Sequence, residues 1–199
     1  MLSKKDKEIL RFIETHKSIT INQCAKCIFT GNKYAKDQAR RQLRQLYKEK
    51  FIQRYQGSRS SQVVYYTIER LGIHDLKLID VYSEFMSLGA TIESSQKEYI
   101  VYTDTAKKSY RKIDAVFEIN YNDYLIPIIC EIDYSHYTSM KKLQDIYKSN
   151  HFQEIYGENV FPLIIIVRPV ITKYKLLVDN GLLILYVDWE LSNLKQALE

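Results

Sequence analysis

The sequence predicts an α+β chain in two parts: three helices closed by a β-hairpin, followed by a mixed sheet flanked by helices. Two observations carry this division. Charge is unevenly spread: Met1 to Arg70 holds 16 Lys and Arg against 6 Asp and Glu, and the remainder holds 13 against 18, within a net +5 over 199 residues. Hydropathy changes as well. Apolar residues recur at helical spacing early on, and beyond Gly89 they gather in short blocks of Ile, Val and Tyr. With only 6 Gly and 3 Pro, loops should be short. The expected domains are 1–70 and 71–199, the second headed by a linker helix over 73–88.

Ser3 can cap a first helix with Ile9, Leu10 and Ile13 inward, fading near Lys17. Thr20 can cap a second, with Ile21, Cys24, Ala25 and Ile28 inward. After the turn at Thr30-Gly31-Asn32, a third runs from about Tyr34 to Lys50. At 100° per residue it gathers Ala35, Ala39, Leu43, Leu46 and Tyr47 on one arc, with Lys33, Arg41, Arg44 and Lys48 opposite and Arg40 at the boundary. Phe51 to Tyr55 and Gln62 to Ile68 read as strands about a polar tip at Gln56 to Ser61. Three helices and a basic-tipped hairpin spell a winged helix-turn-helix.

A concentrated positive field favours a polyanionic partner, here double-stranded DNA. In that reading Lys33, Tyr34, Lys36, Arg40 and Arg41 reach base edges in the major groove. Arg44 and Lys48 meet phosphate, and Arg54, Arg59 and Gln62 form the wing. Such binding requires no cofactor. Three alternatives stay open: a charge run that only solvates its helix, an anionic membrane surface, and a winged helix used for protein contacts.

In the acidic part, Ile73 to Leu88 reads as a helix and Tyr99 to Thr103 as a strand. A hairpin follows, Ile113–Ile119 and Leu125–Asp133, about Asn122-Asp123. A two-residue turn there pairs positions whose numbers sum to 245, so Asp114 faces Glu131 and Lys112 faces Asp133. Like charges opposed across a sheet need a cation or proton between them, which marks a site. A helix over Ser139 to Tyr156 carries Lys141 and Lys142. Phe161 to Val167 reads as a buried strand, Leu182 to Val187 as another, and Trp189 to Leu198 as a closing helix.

The order helix, three strands, helix, strand, with Asp114 and then Glu131-Ile132-Asp133, resembles the core of the PD-(D/E)XK nucleases. The resemblance implies a Mg²⁺-dependent endonuclease site with Asp114 and Glu131 as metal ligands and a lysine near the attacking water. Here Asp133 stands at the lysine position, and Lys141 or Lys142 could supply a relocated amine. Over most of the chain, the winged helix, the helix from His74-Asp75-Leu76 to Val81-Tyr82, Asp114-Ala115-Val116, Glu131-Ile132-Asp133 and a Lys- and Tyr-bearing helix ending near Tyr147 resemble the replication-relaxation family of plasmids, phages and integrative elements. That resemblance implies a DNA-binding accessory in replication, relaxation, transfer or transcriptional control. A homodimer, with helix 73–88 as its seam, and replication or transfer proteins are the further partners expected.

Other classes are disfavoured. No run approaches the roughly 18 apolar residues of a spanning helix, and the chain opens on Lys4-Lys5 without a signal core, so a cytoplasmic protein is expected. Cys24, Cys27 and Cys130 cannot all pair, and the C-x-x-C of the first two lacks a second metal half-site, so core packing is expected. His136 is an ordinary loop histidine or an assistant to the acids. Most of the 17 tyrosines read as sheet and core.

Overall fold

The computed structural model describes residues 2–56, 62–104, 106–171, 176–179 and 181–199, and the chain is a mixed α+β protein of two compact units, Met1–Ser87 and Leu88–Glu199. The helix expected to head the second unit packs with the first.

In the first unit, α1 (Lys4–His16) begins on the expected Ser3 cap. Its Oγ accepts from Asp6 N at 3.1 Å, and the Asp6 carboxylate accepts from Ser3 N at 2.7 Å. A short strand that the sequence did not announce, β1 (Ser18–Thr20), leads into α2 (Ile21–Ile28). There Thr20 and Gln23 form the same reciprocal cap. After α3 (Ala35–Lys48), β2 (Gln53–Gln56) and β3 (Val63–Tyr66) form an antiparallel hairpin with β1 added beyond β3. Ile9, Ile13, Ile19, Cys24, Leu43 and Leu46 are fully buried in this unit's core. α4 (Ile73–Ser87) joins it through Ile79 and Tyr82, and its Asp80 accepts from Gln23 Nε2 at 2.8 Å. Burial raises both the Cys24 and Cys27 thiols, the latter to about 12, as suits core cysteines.

The second unit is one six-stranded sheet. β4 (Thr91–Tyr102), β5 (Tyr110–Tyr121) and β6 (Tyr124–Ile132) form an antiparallel meander, β7 (Leu163–Arg168) and β9 (Leu182–Asp188) continue parallel to β6, and β8 (Leu176–Asp179) closes the edge against β9. Asn122 and Asp123 both take positive φ, 52° and 66°, the geometry of a two-residue hairpin turn whose twist suits the strands. The register follows the expected sum from Tyr121↔Tyr124 to Ala115↔Cys130. The helix foreseen over 139–156 is two, α5 (Met140–Lys148) and α6 (His151–Tyr156), because Asn150 turns left-handed at φ 57° and interrupts the ladder. Leu143, Ile146 and Phe152 from these helices bury against Ile129, Ile164 and Ile166 of the sheet. The closing helix is a single 3₁₀ turn, η1 (Leu194–Ala197).

Candidate nucleic-acid interface and acidic cluster

On α3 the arc of Ala39, Leu43 and Leu46 is buried, which leaves Lys36, Arg41, Arg44 and Lys48 exposed and Arg40 partly covered. A shallow groove on this face is lined by Asp37, Arg40, Arg41, Arg44, Gln45 and Lys48. Asp37 belongs to the surface too, because Arg40 holds it at 2.6 Å. Tyr47, expected inward, is 38% exposed and lies under the Arg54 guanidinium of β2 at 4.4 Å. The strand thereby brings its cation against the helix. Lys33 is exposed beside Tyr34, itself 61% exposed just before the helix. Gln62 is exposed at the foot of the hairpin, and Arg59, expected at its tip, lies outside the described residues.

In the second unit the hairpin delivers its carboxylates to one place. Asp114, half-buried, stands where the β5–β6 ladder ends and accepts from Ile132 N at 2.8 Å. β6 runs between β5 and β7 and pairs with both over Ile128–Cys130; its ladder with β5 ends there, while pairing with β7 continues to Ile132 and Asp133 N donates to Val167 O at 2.9 Å. The ladder stops short of the Lys112–Asp133 pair that the simple register had; Lys112 pairs with Glu98 of β4.

Glu131 is only 2% exposed, and the cation its position calls for is Lys142 from α5, with Nζ 2.6 Å from Oε1 and 2.8 Å from Oε2. The ammonium is directed at Oε2. Oε1, though nearer, receives no well-aligned hydrogen bond. Burial raises the Glu131 carboxyl to about 7; Lys142 opposes the rise and the Asp114 charge adds to it. Asp133, also 2% exposed, accepts from Thr138 N and Oγ1 at 2.7 Å each through Oδ1, and from Arg168 Nε at 2.8 Å through Oδ2. The Thr138 hydroxyl lies 3.4 Å from Glu131 Oε2 and links the two acids.

Of the two candidate amines, Lys142 enters the cluster and Lys141 is exposed on the helix, as is His136 in its loop. Arg168 and Thr138 were not anticipated. Arg168 had one legible signal, a cation closing the apolar run of β7.

A divalent cation finds a poor set of ligands here. Glu131 faces an ammonium, both oxygens of Asp133 are engaged, and among the described residues no three His, Cys, Asp or Glu side chains converge as a metal site. No helix among them is long and apolar enough to cross a membrane.

The family model for replication-relaxation matches residues 10–109, half of the chain, from α1 through β4. The chain belongs to the replication-relaxation family. No curated protein and no solved structure matches it. The family match covers the α3 face and β2 of this replication-relaxation protein and ends before Asp114, so the acidic cluster rests on geometry alone.

Proposed function

We propose that the N-terminal unit is a winged helix-turn-helix that binds double-stranded DNA in the replication, relaxation, transfer or transcriptional control of a mobile element. The carrying observation is the exposed basic face of α3, with Arg41, Arg44 and Lys48 in line and Arg54 of the hairpin beside it. Three helices with sheet order β1-β3-β2 support that reading of the fold, and family membership supports the role. In it α3 enters the major groove while the hairpin follows the backbone. A duplex titration at two salt concentrations is the test. Affinity should fall steeply with salt and should weaken in Arg40→Ala/Arg41→Ala/Arg44→Ala. Unchanged affinity in that variant removes the recognition helix.

The C-terminal unit is, in the same proposal, a nuclease-like core retained without cleavage. The meander, helix and parallel strand of β4–β7 support the PD-(D/E)XK resemblance, and the pairing of Glu131 with Lys142 and of Asp133 with Arg168 supports the loss of activity. Supercoiled plasmid incubated with Mg²⁺ or Mn²⁺ should stay intact. Nicking that disappears in Asp114→Asn would reinstate an endonuclease.

A further inference from the structure

We propose that the carboxyl ends of β6, β7 and β9 form a binding site for single-stranded DNA, in which Arg168 takes a backbone phosphate and Tyr137 stacks on a base. The site goes beyond the duplex reading and does not depend on it, since every residue involved lies in the C-terminal unit.

The three strands are parallel, and their register brings Ile132, Val167 and Val187 level, with Arg168 opposite Asp188. Tyr134 and Trp189 therefore leave the sheet at the same edge as Arg168. The crevice outside the carboxyl ends of parallel strands is where open α/β sheets receive ligands.

Arg168 is held ready there. Its Nε is spent on buried Asp133, and its guanidinium lies 4.4 Å from the Tyr186 ring and 5.1 Å from that of Tyr137. Among the described residues only Nε donates a hydrogen bond, which leaves the outer fork of two terminal amino groups for an anion. A planar fork matches two phosphate oxygens, and a guanidinium already fixed by its carboxylate and flanking rings loses little freedom on binding.

Tyr137 is 76% exposed, so the ring that covers the guanidinium still offers area to solvent. Tyr134 and Trp189 form a second aromatic pair, centroids 5.3 Å apart. Aromatic platforms beside a cation suit unstacked bases strung on phosphates, whereas a duplex keeps its base faces stacked on one another. The nearby acids Asp114, Glu131, Asp133 and Asp188 outnumber Lys142 and Arg168, so no positive field adds to the binding. Salt dependence should accordingly be shallow, log K falling by about 0.7 per phosphate for each tenfold rise in salt.

The full-length chain can be titrated with oligothymidylate while Trp189, its single tryptophan, reports by fluorescence. Quenching is expected, and Tyr137→Ala should weaken binding about tenfold with an unchanged duplex affinity. Arg168→Lys, which keeps a cation against Asp133 and removes the fork, should weaken single-strand binding with the unit still folded. No binding of labelled oligothymidylate, or equal affinity in Tyr137→Ala and the parent chain, overturns the site. So does a single-strand affinity lost only in the α3 arginine variant. Loss of duplex binding alone in that last variant leaves this site standing and bears only on α3.

Discussion

Replacing Glu131 with Gln should remove a pH dependence built into the second unit. Burial lifts the folded-state carboxyl from 4.5 to about 7, so between these values the folded chain holds a proton that the unfolded chain has released. The contribution is therefore full below about pH 4.5 and is lost as pH rises to about 7. At about 1.4 kcal/mol per pH unit the loss is about 3 kcal/mol, and a side chain 2% exposed gives water little chance to screen it. The glutamine side chain has the same shape and no charge, while Lys142, whose side chain is 22% exposed, can turn to solvent. Urea unfolding followed by Trp189 fluorescence from about pH 5 to about pH 8 should show the parent losing about 2–3 kcal/mol relative to Glu131→Gln. The variant serves as reference for every other titrating group. Parallel stability profiles across that range would refute a buried Glu131 carboxyl that keeps its proton to about pH 7.

The arginine triple variant on α3 should flatten the salt dependence of duplex binding by about 0.9 in log–log slope for each phosphate it no longer neutralises, readable by anisotropy at several salt concentrations. Leu43→Ala, at a fully buried position of the first core, should cost about 2–5 kcal/mol in chemical denaturation. Asp123→Gly should stabilise the second unit by up to about 1 kcal/mol, since at φ 66° a side chain costs about 1–2 kcal/mol that glycine avoids, less about 0.4–1 kcal/mol for the freer unfolded chain; a lower urea midpoint would contradict the turn geometry. Ser3→Ala should lower stability by about 1 kcal/mol through loss of the α1 cap, seen as a lower melting temperature.

Much of the local architecture was legible because it is set by neighbours in the chain. Ser3 and Thr20 cap the helices expected of them, and Asn122-Asp123 sets the hairpin register that brings Asp114 toward Glu131. Helical spacing separated the buried arc of α3 from its cations, apart from Tyr47, whose place depends on Arg54 from a strand that follows the helix. β1 is three residues long, too short to display an alternation, and the break at Asn150 turns on a single backbone angle.

By itself, then, the sequence determined the two-part α+β character, the basic helix face and the turn that aligns the acids, since charge, periodicity and turn chemistry act over a few residues. Only the tertiary structure decided which cations meet those acids. Lys112 was opposite Asp133 by simple register, yet the β5–β6 ladder stops at Ala115↔Cys130 while β6 stays paired with β7 to Ile132, and that parallel pairing brings in Arg168 from 35 positions along the chain. Lys142 rather than Lys141 reaches Glu131, because α5 packs Leu143 and Ile146 into the core and thereby selects which of two adjacent lysines turns to the sheet. A carboxylate's chemistry depends on the charges within a few ångströms of it, and those are chosen by long-range packing.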